Sequence, residues 1–157
     1  MATKTNAVRL VQQAGIPCRE AFYEFDEKDL NGNHAAAAIG MPPEQVFKTL
    51  VARGEKTGIN VFCIPVCCEL DLKKAAKAAC DKNMEMVAVK DLLSLTGYIR
   101  GGCSPVGMKK KYPIYFDETA ILWEEIAVSA GARGHQMILP PEDLANLVNA
   151  KLADITL

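Results

Sequence analysis

Ten residues constrain this chain more than any others: Tyr98-Ile99-Arg100-Gly101-Gly102-Cys103-Ser104-Pro105-Val106-Gly107, with Lys109, Lys110 and Lys111 close behind. Three glycines, a proline and a serine cannot continue the interior of a helix or strand, because glycine loses the most backbone freedom on ordering and proline lacks an N–H. The short apolar and aromatic run before the glycines predicts a strand ending in a sharply bent loop that something approaches closely. Bare N–H groups in such a loop can hold an anion or a carbonyl oxygen. A hairpin connection with a solvated, lysine-rich exit explains the same composition. A second stretch separates the two readings. Gln45-Val46-Phe47-Lys48-Thr49-Leu50-Val51 sets a lysine and a threonine inside an otherwise apolar strand.

In a strand, Val46, Lys48 and Leu50 share one face and Phe47, Thr49 and Val51 the other. A lysine in such company either snorkels from an edge strand or points its ammonium into a cleft. In a cleft it would bind a carboxylate, a phosphate or a developing oxyanion.

The chain of 157 residues fits a single domain over 1–157, long enough to bury a real core. No apolar run approaches a membrane span, and Met1 to Asn6 carries no signal-peptide core, so a cytoplasmic location is expected with no membrane partner. Six cysteines (18, 63, 67, 68, 80 and 103) without an export signal read as free thiols. Cys63-x3-Cys67-Cys68 lacks the paired spacing of a zinc site and reads as small buried thiols in and after a strand. No metal and no cofactor are expected. The net charge of −1 means that any grip on nucleic acid must come from a local basic face.

In chain order, Thr5 or Asn6 caps a first helix to about Gln13, striped by Ala7, Leu10, Val11 and Ala14. Cys18–Asp26 alternates as a strand, 29–33 is turn, and His34–Ile39 is a short helix closed by Gly40. Phe47–Ala52 and Ile59–Ile64 form a hairpin. Asp71 caps a helix over Leu72–Cys80 whose Lys73, Lys74 and Lys77 share a face, either simply solvated or turned to RNA phosphates. Glu85–Val89 is a strand, Asp91–Leu95 a helical turn, and Tyr112–Phe116 a strand. Residues 120–125 are helical or extended. Ile126–Ser129 and Gln136–Leu139 are strands around a tight turn at Gly131, Arg133 and Gly134. Glu142–Asn149 is a closing helix with Leu144, Leu147 and Val148 inward. The result is an α+β fold with a mixed, largely antiparallel sheet or barrel-like core and flanking helices.

Catalytic motifs are scarce. There is no G-x-S-x-G, H-E-x-x-H, Walker loop or G-x-G-x-x-G. His34 and His135 read as surface residues. Ser104 has no histidine placed by sequence to activate it, and Cys103 reads as a filler more than a nucleophile.

Three segments carry a resemblance when taken in order. Phe47-Lys48-Thr49-Leu50 follows Pro42-x3-Val46. Glu69-Leu70-Asp71-Leu72-Lys73-Lys74-Ala75-Ala76 comes next, and Thr96-Gly97-Tyr98 then leads into Gly101-Gly102-Cys103-Ser104-Pro105-Val106-Gly107. Together they resemble the YbaK/EbsC family across nearly the whole chain. Members hydrolyse mischarged aminoacyl-tRNA, chiefly cysteine on proline tRNA. The resemblance implies the YbaK/prolyl-tRNA-editing-domain fold, with Lys48 and Gly101 as catalytic residues and Tyr23, Thr49, Gly102, Ser104 and Gln136 around the substrate. Lys73, Lys74, Lys77, Lys109, Lys110, Lys111 and Arg133 are the candidate tRNA contacts. It also implies substrate-thiol attack on the ester, Gly101–Gly102 amides near the carbonyl, and action beside prolyl-tRNA synthetase, with no DNA partner. Two positions depart from the family. Phe25 stands where a histidine is common after Tyr-Glu, and Gln136 where an aspartate is usual. A neutral amide would hold an α-ammonium less strongly than a carboxylate. The rival readings are a non-catalytic nucleotide- or RNA-binding module on the same fold and a deacylase preferring Ala-tRNA(Pro).

Overall fold

Three of the helices begin where the sequence supplies a side-chain cap. The computed structural model describes residues 4–157. Thr5 Oγ1 accepts the Val8 N–H at 3.2 Å and starts α1, Asn6–Gln13. Asn31 does the same for α2, Gly32–Ile39, and Asp71 for α3, Leu72–Ala78, where its carboxylate takes the N–H groups of Lys73 and Lys74. Each cap satisfies donors that the helix itself cannot. Helix α4, Val89–Thr96, stops at left-handed Gly97, and α5, Pro141–Val148, opens on a proline in its first turn and stops at left-handed Asn149.

The strands are β1 Arg19–Phe22, β2 Phe47–Gly54, β3 Gly58–Pro65, β4 Met84–Met86, β5 Ile114–Asp117, β6 Ile126–Ala132, β7 His135–Leu139 and β8 Lys151–Ala153. They form one sheet in the order β1-β7-β6 and a second in the order β4-β2-β3-β5-β8. The pairs β1–β7, β6–β7, β2–β3 and β2–β4 are antiparallel, while β3–β5 and β5–β8 are parallel. The mixed, largely antiparallel expectation holds. The barrel-like core does not: among the described residues neither sheet closes on itself, and a lone parallel bridge, Val46 to Ala127, links them.

Both faces of the larger sheet are covered. Phe47, Val61 and Phe116 meet Ile126, Met137 and Leu139 of the smaller sheet, together with Val8 and Val11 of α1 and Leu144 of α5. The other face sets Phe62 and Ile64 against Ala75 and Ala76 of α3, with the Phe62 and Tyr115 rings stacked at 5.4 Å. Each large side chain so buried contributes about 1.5–3 kcal/mol relative to exposure.

Several boundaries move. The first strand ends at Phe22, with one further bond in the same register, from the Tyr23 N–H to the Gly134 carbonyl at 2.9 Å, where β7 gives way to its turn. The glycine loop joins helix α4 to strand β5, so it is neither the end of a strand nor a hairpin. Residues 118–122 form a 3₁₀ turn, and Lys151–Ala153 adds a strand, β8, after the closing helix. His135 is buried, stacked on Phe22 at 4.2 Å with Nε2 2.8 Å from Glu20 Oε1, and is not a surface residue. Cys67 is exposed rather than buried, and all six cysteines are free.

Candidate active site

A cleft of about 900 Å³ opens beside β2. It is lined by all six residues from Val46 to Val51, by the 28–33 segment, and by Tyr23, Arg100, Gly101, Cys103, Ser129 and Gln136. Consecutive strand residues point to opposite faces, so six in a row can line one cleft only along the strand's edge.

Lys48 stands on that edge, half-buried. Among the described residues no carboxylate lies within ion-pair distance of its ammonium, and no hydrogen bond occupies it. A half-buried cation with no partner in the fold is free to meet the counter-charge of a ligand. Thr49 Oγ1 contacts Cys63 Sγ at 3.5 Å. Lys28 and Arg100 also line the cleft, opposed by Asp29 and Glu69, so three cations face two carboxylates. The balance is weakly positive and suits a ligand with few phosphates.

The glycine loop supplies the second wall. Gly101 has φ +85, and a Cβ there would come within 3.2 Å of Leu30 and 3.5 Å of Arg133. Position 101 thus calls for glycine by its backbone, while the space is tight only against the end of the Leu30 side chain. Gly102 is buried for another reason: its missing side chain lets the loop pack on the β6–β7 turn, where a Cβ would meet the Ala132 and Arg133 backbone at 3.2 Å. Its N–H already donates to the Ile99 carbonyl at 3.0 Å, so it is not a free donor for a substrate oxygen. Ser104 is fully buried, its Oγ accepting the Val106 N–H, and does not line the cleft. Tyr23 lines both the cleft and a small adjoining niche shared with Phe25, His34, Gly101 and Arg133.

Gln136 has a buried Oε1 with no hydrogen-bond partner and faces the cleft. An orphaned buried acceptor costs on the order of 1–3 kcal/mol and marks a place for an incoming donor.

The expected tRNA contacts lie elsewhere. Lys73 and Lys77 are exposed on α3, and Lys74 is tied to Asp154 Oδ1 at 3.2 Å and the Thr156 carbonyl at 2.7 Å. Lys109, Lys110 and Lys111 are exposed on the loop exit, and none of the six lines the cleft. Arg133 alone reaches the site, edging the niche with its Nε donating to the Arg100 carbonyl at 2.9 Å. Lys28 and Arg100 were missed. Arg100 abuts the glycine pair and was legible in principle, whereas Lys28 sits in a turn whose direction only the fold sets.

Among the described residues no hydroxyl or thiol lining the cleft, the exposed Cys67 included, is hydrogen-bonded to a histidine or carboxylate that could activate it. Burial pushes the Cys103 thiol up to about 12, and Ser129 Oγ accepts the Gly131 N–H at 3.1 Å. Cys63, beneath Thr49, is likewise raised to about 12 by burial. Cys68 is raised by desolvation and by Cys67, with Lys48 pulling the other way. Among the described residues no cluster of three His, Cys, Asp or Glu could hold a metal ion.

The two-sheet fold that carries this cleft is matched by known proteins. Residues 32–147 match the aminoacyl-tRNA editing domain. The chain belongs to that family. This editing domain is 48% identical over 153 residues to EbsC of Enterococcus faecalis (strain ATCC 700802 / V583), a candidate Cys-tRNA(Pro)/Cys-tRNA(Cys) deacylase, across 98% of this chain and 93% of the relative. A solved structure described as a candidate trans-editing enzyme for prolyl tRNA synthetase aligns with TM-score 0.80 and 26% identity, over 99% of both chains. Hypothetical protein APE2540 shares the fold, with TM-score 0.85 at 19% identity over 95% of this chain and 97% of that one. The resemblance carried by Lys-Thr-Leu and Gly-Gly-x-Ser-Pro holds, and the editing domain is of the aminoacyl-tRNA deacylase class.

Proposed function

We propose that this editing domain removes cysteine from mischarged proline tRNA in trans, in the cytoplasm and beside prolyl-tRNA synthetase. The observation that carries the reading is the pairing of an unpartnered Lys48 with a cleft that holds no activated nucleophile. Such a site is built to position and stabilise, and among the described residues no base is bonded to Cys67, the exposed thiol at its side. The attacking group then comes from the substrate. Its thiol sulfur bonds to the ester carbonyl carbon, and the carbon–oxygen bond to the terminal ribose breaks. The thiol proton passes to the leaving ribose oxygen, and the freed cysteine thiolactone is opened by water. An intramolecular attack of this kind can have an effective molarity of about 10⁵ M or more, so a protein nucleophile is not needed.

Lys48 serves as the counter-charge for the terminal nucleotide's phosphate or for the developing oxyanion. Gly101 keeps the opposite wall clear of side-chain atoms, and Tyr23 and Thr49 bound the space for the amino acid. Lys28, Arg100 and Arg133 take the nearest phosphates. Lys73, Lys77 and Lys109–Lys111 act only on the more distant tRNA body. With a net charge of −1 the grip on tRNA alone is weak, which favours action with a partner that already holds the tRNA.

Single-turnover hydrolysis of Cys-, Ala- and Ser-tRNA(Pro) tests this directly. Cleavage of the cysteinyl substrate well ahead of the other two is expected. Equal rates for cysteine and serine would make water the nucleophile. Faster loss of alanine would assign the domain to an alanine-editing role, and binding without turnover would leave only an RNA-binding module.

A further inference from the structure

The cleft side of β2 has a property that its side chains do not reveal. Val66 N–H donates to the Val46 carbonyl at 2.8 Å, which sets the phase of the β2–β3 ladder. In an antiparallel pair, opposed residues alternate between exchanging both hydrogen bonds and exchanging none. With Lys48 opposite Ile64 and Thr49 opposite Cys63, Lys48 and Leu50 bond to β3. Phe47, Thr49 and Val51 turn their N–H and C=O groups the other way. The Val51 carbonyl bears out the phase by accepting the Val87 N–H at 3.1 Å on that side.

From Ala52 onward this side is covered by β4, and at Val46 it is met by β6. Among the described residues no strand pairs with it at Thr49. The N–H and C=O of Thr49 therefore look into the cleft from an open edge. Exposed edges are normally blunted or covered, because they invite strand addition. Here the edge forms the floor of the reactive site.

We propose that this edge reads the aminoacyl group as a one-residue β-strand. In a hydrogen-bonded antiparallel pair, the N and C=O of one residue meet the C=O and N–H of the single residue opposite. An aminoacyl ester has those two groups at that spacing. Its amine donates to the Thr49 carbonyl, and its ester carbonyl accepts the Thr49 N–H. The N–H then sits where charge develops as the carbonyl is attacked, a role that the occupied N–H of Gly102 cannot fill.

The orphaned Gln136 supports the same pose. Beyond the single Val46–Ala127 bridge β6 parts from β2, and Gln136, paired with Ser129 across β6–β7, lines the cleft together with Lys48 and Thr49. Its unpartnered Oε1 is placed to take a second N–H of the amine. Opposed residues in a sheet send side chains to the same face, so the amino acid's side chain falls on Thr49's side. There it meets small residues, Cys63 under Thr49 and the nearby Cys103. This inference rests on the deacylase reading, but it concerns recognition of backbone atoms and is separable from turnover.

The test uses the full chain and a non-hydrolysable probe, 3′-(cysteinylamino)-3′-deoxyadenosine, with adenosine and the 3-mercaptopropionyl analogue as comparisons. In backbone amide NMR the Thr49 N–H should shift downfield with the cysteinyl probe and not with adenosine. The 3-mercaptopropionyl analogue lacks the amine and should bind at least about tenfold more weakly. Thr49→Pro removes the N–H but no ladder bond, since that N–H does not face β3. Thr49→Ala removes the hydroxyl and keeps the N–H. At comparable melting temperatures, single-turnover deacylation should fall in Thr49→Pro by about 100-fold or more beyond Thr49→Ala. A Thr49 amide that stays put while other cleft amides move would overturn the proposal, as would equal activity in the two variants. So would an edge that responds only to an added peptide strand. A wild-type chain that cleaves no aminoacyl-tRNA, yet whose Thr49 amide moves with the probe, would refute the enzymatic reading and leave the edge recognition standing.

Discussion

Removing the Lys48 ammonium should separate activity from stability in an unusually clean way. Lys48 is half-buried with no carboxylate within ion-pair distance among the described residues, so truncation breaks no native pair. Loss of a half-buried, unpartnered charge is neutral or slightly favourable for folding. The melting temperature of Lys48→Met, which keeps the apolar stem beside Leu50, should equal that of the wild type or exceed it. Activity should behave otherwise. A unit charge about 4 Å from an oxyanion or phosphate is worth about 4 kcal/mol at an effective dielectric of about 20 and about 1 kcal/mol in bulk water. A half-buried site lies between these limits, so about 2–4 kcal/mol of transition-state stabilisation is at stake. That corresponds to roughly 30- to 900-fold in single-turnover rate. The change also takes the cleft from three cations against two carboxylates to an even balance. Single-turnover deacylation of Cys-tRNA(Pro) by wild type, Lys48→Met and Lys48→Arg, alongside thermal melts, reads both quantities. A Lys48→Met protein within threefold of wild-type rate would refute the assignment of the counter-charge, and a large drop in melting temperature would show that the ammonium has a structural partner.

Gly101→Ala should lower activity at a modest stability cost of about 1–2 kcal/mol, since a side chain at φ +85 is strained and its Cβ would reach within 3.2 Å of Leu30; an unchanged rate would reduce the loop to a connection. S-methyl-Cys-tRNA(Pro) should resist cleavage because the internal nucleophile is blocked, and cleavage at the free-thiol rate would assign the attack to water. Alkylation at pH about 8, followed by mass spectrometry, should label exposed Cys67 and Cys80 before Cys63 and Cys103, whose thiols burial raises to about 12; early labelling of Cys103 would restore it as a candidate nucleophile. Asp81 is held well below the usual carboxylate range, chiefly by the Thr57 hydroxyl and also by the N–H groups of Thr57, Lys56 and Lys82. Its folded-state pKa is depressed, so its stabilisation is present above the unfolded value of about 4 and is lost as pH falls from there. The gap in melting temperature between wild type and Asp81→Asn should accordingly narrow below that pH, and a gap that stays constant would count against the carboxylate's role.

The sequence by itself determined the local events, because their causes are local. Asp71 caps α3 and the Phe47–Pro65 alternation makes a hairpin, since caps and pleats act within a few residues. The order of the Lys-Thr-Leu and Gly-Gly-x-Ser-Pro segments also carried the family, since each motif answers to a short-range demand: a cation on a strand edge, and a left-handed turn that favours glycine. Tertiary structure decided whatever depends on what lies across a gap. Gly102 and Ser104 follow Gly101 by one and three residues, yet Gly102 packs on the β6–β7 turn and Ser104 faces the interior. The lysine clusters were open to two readings, a solvated face or tRNA contacts, and the fold places them away from the cleft, which Lys28 and Arg100 line instead. His135 looked solvated beside glycine until β1 brought Glu20 and Phe22 over it. The open edge at Thr49 is the clearest case. Its side chain and its strand could be read from the sequence, but an edge is defined by the absence of a neighbour, and which strand lies beside which is settled only when both sheets pack their apolar faces together.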